Sequence, residues 1–219
     1  MPTPSLLVLN SIRLFLAVEA VIGLVGRNWL AVFVAVSALV LTALPQLLAN
    51  RVQLFLPNGF LAAIAAFVLA TIYLGEMHDF YNRFWWWDLA LHGTSAMGFG
   101  ILGFLLILML FEGDRYAAPP WAIGVLSFCA AMTVGVLWEV FEYGMDQLFG
   151  FNMQKSGLHD TMGDLMVNAV GASIAGLAGA AYLKGRALGL GFTFEAFIAA
   201  NRPRFRKLMP RRRPPGPRR

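Results

Sequence analysis

Cysteine, histidine and charge are all scarce in this 219-residue chain, and each scarcity narrows what the chain can be. The one cysteine, Cys129, cannot form an internal disulfide, and no cysteine metal motif is possible. Set between Phe128 and Ala130, it reads as a small buried apolar residue. Histidine occurs three times, at His78, His92 and His159, too few for a histidine-rich metal tract. Charged residues make up 13% of the chain, against about a quarter in a soluble domain. The N-terminus lacks a basic region and a clear cleavage site after Leu6–Gly26, which favours a retained first span over a removed signal peptide. No internal repeat and no soluble domain is visible.

What fills the chain instead is apolar sequence. Hydrophobic residues reach 58%, and the mean hydropathy is +0.66. Several runs approach the ~20 residues that cross a ~30 Å hydrocarbon core. The expectation is an all-α, polytopic membrane protein with about six transmembrane helices: Leu6–Val25, Trp29–Leu48, Phe60–Leu74, then about Asp88 to Leu110, Trp121 to Tyr143 and Asp160 to Leu183. Arg13 is expected to snorkel to the near surface, whereas Glu19 lies deeper and faces protein. The aromatic stretch 75–87, ending in Trp85-Trp86-Trp87, reads as an interfacial belt, with His78 and Asp79 as solvated surface groups.

Residues 1–183 thus form a transmembrane domain and residues 184–219 a basic, largely disordered tail. Eleven of the seventeen Lys and Arg lie from Lys184 onward, opposed there by Glu195 alone. Within this tail 192–200 has room for a short interfacial helix. Basic loops stay inside, so the C-terminus is expected in the cytoplasm of a bacterial cell, with the protein in its inner membrane. The tail then meets anionic lipid headgroups, and no nucleic-acid partner is expected.

The polar chemistry concentrates between Trp138 and Gly176, which holds five of the twelve acidic residues: Glu139, Glu142, Asp146, Asp160 and Asp164. Residues three or four apart share a helix face. Glu139 and Glu142 therefore form one column, Asp160, Asp164 and Asn168 a second, and Asp88 and His92 a third. With six spans, all three columns fall at the same membrane surface, the outer one, and can line a common site. Asp88, Glu139, Glu142, Asp160 and Asp164 have no Lys or Arg in their own helices; the nearest by sequence are Arg83 and Lys155. Charge at that depth is costly and calls for a partner, whether protons, a metal ion or a cationic ligand.

A divalent metal ion is the preferred partner. Carboxylates with one imidazole suit Mn, Fe, Zn or Mg, and the spacing matches neither the Glu-x-x-His di-iron pattern nor His-Glu-x-x-His. In this reading His92, Glu139, Asp164 and Asp88 hold the ion, and Glu142 or Asp160 acts as general base on a water. Asn168 and Trp138 support the site, and His159 is a possible second imidazole. The plainer alternative treats Asp88 and Asp160 as helix N-caps and Glu142 as an interfacial group.

The order Asp88-x-x-x-His92, then Trp138-Glu139-x-x-Glu142, then Asp160-Thr-x-x-Asp164-x-x-x-Asn168-x-x-Gly171-Ala172 resembles the YjdF-like family of bacterial inner-membrane proteins. The same skeleton is similar to VanZ-like proteins, linked to glycopeptide resistance, from which it departs by Glu142 in place of a glutamine. The resemblance covers about residues 86 to 176 and implies that these side chains act as one group. It supplies no reaction.

Three functions fit these features. The first is a metal-dependent enzyme or binding protein acting on a lipid or envelope-linked substrate. The second is a cation or proton-coupled transporter, which needs a polar path continuing inward. The third is a structural protein whose polar cluster pins helices together.

Overall fold

The computed structural model describes residues 3–111, 118–186 and 189–201. Its elements are α1 (Pro4–Val25), α2 (Trp29–Arg51), α3 (Asn58–Val68, rewound as a π-helix over Leu69–Met77), α4 (Phe80–Arg83), α5 (Trp87–Leu110), α6 (Pro120–Phe149), α7 (Leu158–Leu183) and α8 (Gly191–Ala200). No strand occurs among the described residues. Six of these helical segments are long and apolar enough to cross a membrane. The chain is a multi-pass helical membrane protein.

Local sequence explains where the helices begin and end. The Thr3 hydroxyl accepts from Leu6 N, with Pro4 in the first turn, and Asn28 Oδ1 accepts from Ala31 N at 3.2 Å to start α2. Pro119 and Pro120 open α6, and Gly150, at φ +70°, closes it in the left-handed conformation that glycine adopts without strain. Thus α6 runs six residues beyond the end expected at Tyr143. The apolar run stops there, but the helix continues until a residue favours leaving it.

Helices α1, α2 and α3 pack as one group, and α5, α6 and α7 as another. The second group is built on small residues. A Cβ on Gly124 would stand 2.7 Å from Gly176 O, and one on Gly176 would stand 2.6 Å from Gly124 O. A Cβ on Gly171 would collide with Gly93 O, and one on Gly100 would meet Ala175 Cβ at 2.6 Å. Lipid chains are as apolar as the helices, so van der Waals fit, not water exclusion, drives these contacts. Ser127 Oγ adds a buried hydrogen bond to Gly100 O at 2.7 Å, tying α6 to α5.

In the first group Arg13 does not snorkel. Its guanidinium donates to Thr42 Oγ1 at 3.2 Å and to Thr42 O at 2.8 Å. Thr42 is fully buried, so the arginine finds its acceptors on α2, which costs less than leaving five donors in hydrocarbon. Glu19 is half-buried and lies beside Tyr73. Cys129, expected to be buried, is exposed. It lies on a face of α6 with Val125, Leu126 and Val136 also exposed, where bilayer lipid takes the place of protein neighbours.

Helix α8 occupies the region expected to hold a short interfacial helix. It is inserted more deeply than that: Phe194 and Phe197 are fully buried in a core with Phe104, Leu108 and Ile123. At its end Asn201 donates to Phe55 O and Phe197 O and accepts from Phe55 N, at 2.8, 2.9 and 2.8 Å. The Arg-rich stretch 202–219, with the lipid contacts expected of it, lies outside the described residues, as does most of the polar loop before Pro119.

The glycine contacts give opposite signs for one chemical change. Gly124→Ala or Gly176→Ala is expected to cost about 1–3 kcal/mol through overpacking. Gly98→Ala, with nothing within 4 Å of its added carbon, is expected to gain up to about 1 kcal/mol from helix propensity. Thermal unfolding in detergent reads all three.

Candidate functional site

The start of α5, the end of α6 and the start of α7 lie at the same end of the bundle, and the three polar columns meet there. Glu139, Glu142, Asp164, Asn168 and His92 are all buried, with Asp164 only 2% exposed; Asp88 and Asp160 are half-buried nearer the rim. Space for Asn168 comes from Gly135, where a Cβ would stand 2.7 Å from the Asn168 amide nitrogen.

His92 is the centre of the arrangement. Its Nδ1 lies 3.7 Å from Glu139 Oε1 and 3.5 Å from Asn168 Nδ2. Its Nε2 lies 3.7 Å from Asp88 Oδ1 and 3.9 Å from Asp164 Oδ2. The ring therefore has a carboxylate on each nitrogen, at distances too long for direct hydrogen bonds. Both Glu139 oxygens, Asp164 Oδ2 and Asn168 Oδ1 are buried without a hydrogen-bond partner among the described residues. The Thr161 hydroxyl, which accepts from Gln154 Nε2 at 2.7 Å, stands near Glu139 but outside good hydrogen-bond geometry. Orphaned buried oxygens cost free energy, and several in one place mark this cluster as the candidate site.

The donor atoms fall into two sets. His92, Glu139 and Glu142 offer one set, and Asp88, Asp160 and Asp164 another; within each, the ligand atoms lie within 4.8 Å of one another. The residues expected to hold an ion and those expected to act as bases are thus mixed in both sets. Trp138 Nε1 donates to Glu142 Oε1 at 2.9 Å, one turn along α6, and this fixes the Glu142 rotamer. His159 is exposed and belongs to neither set.

At the mouth, Lys155 Nζ pairs with Asp88 Oδ2 at 3.2 Å, approaches Tyr81 O at 3.4 Å, and sits 4.6 Å from the centre of the Tyr81 ring. Among the described residues no other Lys or Arg forms an ion pair with the cluster. Burial, reinforced by Asp88, Glu76 and Glu142, pushes the Tyr81 phenol above its ordinary range, so it remains neutral. Gly75 gives the Tyr81 ring its place, since a Cβ there would collide with the ring edge. Trp85 and Trp86 are exposed beside this mouth, while Trp87 turns inward and donates to Ala70 O at 3.3 Å. His78 and Asp79 are exposed, as expected of surface groups.

The role of Asp146 is visible only in three dimensions. Its carboxylate accepts from Met153 N at 2.7 Å and from Gln154 N at 2.9 Å, which folds the 150–157 loop back and delivers Lys155 to the site. An acid seven or eight residues before the amides it binds leaves no periodic signal in sequence. Underneath Asn168 the helices close: Gly171 is against Gly93 O, and Gly100 against Ala175.

The fold and site define a six-span helical membrane protein with a buried carboxylate–imidazole cluster at one end of its last three spans. The chain matches the family model described as Predicted membrane protein (DUF2238) over residues 7–185, and it belongs to that family. That match takes in all six spans and every residue of the cluster. An uncharacterized protein of Thermotoga maritima is 31% identical over 99 residues, 45% of this chain and 50% of the relative. The chain thus spans about half the length of that relative. No solved structure matches it.

Asp146→Ala removes two charge-assisted hydrogen bonds, each worth about 1.5–3 kcal/mol. Backbone hydrogen exchange at 150–157 is expected to speed at least about a hundredfold in this variant, with exchange in α5 and α7 unchanged. Mass spectrometry of detergent-solubilised protein checks it.

Proposed function

We propose that this protein binds a divalent metal ion at the His92 cluster and uses it on a lipid or envelope-linked substrate. The observation that carries this reading is the set of orphaned buried oxygens on Glu139 and Asp164, aimed at opposite nitrogens of one imidazole. Among the described residues no donor satisfies them, and carboxylates at membrane depth call for a cation. His92, Glu139, Asp164 and Asp88 are the ligands in this reading, with Glu142 or Asp160 taking a proton from a water at the site. Trp138 and Asn168 orient Glu142 and His92. Trp85 and Trp86, exposed beside the mouth, are of the residue type that prefers the membrane–water boundary, which favours a lipid-borne substrate over a free solute.

The kinship to YjdF-like proteins, and more distantly to VanZ-like ones, belongs to the same proposal, as do placement in a bacterial inner membrane, a cytoplasmic C-terminus and lipid contacts of the basic tail. The transporter reading needs a polar route past Asn168. The close Gly171–Gly93 and Gly100–Ala175 contacts below it favour a site with a floor.

The test is metal content by mass spectrometry on protein purified in detergent without chelator, beside Glu139→Gln/Asp164→Asn. A stoichiometric ion is expected in the parent and none in the variant, with helical content unchanged. A parent without metal, or a folded variant that retains it, overturns the reading.

A further inference from the structure

We infer that the cluster is a two-cation centre, with one ion between α5 and α6 and a second between α5 and α7. The inference rests on the metal reading above and replaces its division of labour, because Glu142 and Asp160 become ligands.

Geometry separates the two positions. One donor set is His92 from α5 with Glu139 and Glu142 from α6; the other is Asp88 from α5 with Asp160 and Asp164 from α7. The imidazole stands between them, with Nδ1 toward Glu139 and Nε2 toward Asp88 and Asp164. The two nitrogens of one ring point away from each other, so an ion on the Nδ1 side cannot also use the ring's other edge. Nε2–H facing the second carboxylate set leaves Nδ1 as the ligand atom, where the ion displaces the Asn168 amide nitrogen that stands 3.5 Å away; an outer carboxylate fixes a metal-binding histidine in this way.

Each set independently asks for a ligand. Glu139, 5% exposed, has both oxygens unpartnered in the first set, and Asp164, 2% exposed, has Oδ2 unpartnered in the second. A single ion at either position leaves the other orphaned. Charge points the same way. Among the described residues five carboxylates face one ammonium, Lys155, and cations between the carboxylates relieve that excess.

The positions differ in chemistry. The α5–α6 set, with its imidazole, suits Zn, Mn or Fe, and the all-carboxylate α5–α7 set suits Mg, Ca or Mn. Three protein ligands at each leave coordination positions open to water or to substrate oxygen, as in catalytic metal sites. Lys155 already neutralises part of Asp88, so the α5–α7 ion binds in competition with it and more weakly.

Mn²⁺ suits both sets and is the probe. Metal-stripped full-length protein is dialysed against Mn²⁺, and the bound ion is counted by mass spectrometry alongside electron paramagnetic resonance. Two Mn²⁺ per chain are expected. Asp160→Asn/Asp164→Asn is expected to keep one with a nitrogen-coupled signal, and Glu139→Gln/Glu142→Gln to keep one without it. Lys155→Met is expected to retain two and to tighten the weaker about tenfold. One Mn²⁺ in the parent overturns the two-ion inference while leaving the metal reading intact; none overturns both. The parent's count decides the matter even if a double variant fails to fold.

Discussion

The structure depends on how closely three helix backbones approach one another. Gly171 against the Gly93 backbone, Gly100 against Ala175, and Gly124 and Gly176 against each other have no room for a larger side chain, and those contacts fix both the separation and the rotation of α5, α6 and α7. The polar columns sit on the same helices a turn or two away. With the helices held at this spacing, His92 reaches carboxylates on both neighbours; a wider spacing would let the carboxylates separate and hydrate. The apolar half of the bundle therefore sets the electrostatics of the polar half, and the strain of gathered charge is borne by van der Waals fit.

Much of this was legible in the sequence because hydrophobic length and four-residue spacing are one-dimensional signals. Six spans follow from runs of apolar residues, and the Asp88–His92, Glu139–Glu142 and Asp160–Asp164–Asn168 columns follow from helical periodicity. The small-residue face of α5, with Gly93, Ala96, Gly100 and Gly103, is readable for the same reason. What escaped was whatever depends on a partner from elsewhere in the chain. Arg13 looks like a residue seeking the surface until Thr42 is placed beside it. Cys129 looks buried because its neighbours in sequence are apolar, and hydropathy does not distinguish a lipid-facing position from a protein-facing one. The true end of α6 is set by Gly150, beyond the last strongly apolar residue.

The candidate site shows the same divide. Which residues gather there could be read from their spacing, whereas their grouping into two sets about His92 could not. Sequence depth put His92, Glu139 and Asp164 on one level and suggested a single binding position. The packing of three helices instead gathers the donors into two sets, His92 with Glu139 and Glu142, and Asp88 with Asp160 and Asp164. Lys155, a loop residue by sequence, becomes the cluster's ammonium only because Asp146 turns the loop.

Asn201 clasps the stretch between α2 and α3 from the far end of the chain, bonding both polar groups of the Phe55 backbone. The segment that carries it follows all six spans in the chain, so this link cannot form until the last span has been made. Chain order thus makes this tie between the two groups the last to become available, added to the Trp87–Ala70 hydrogen bond that links them already.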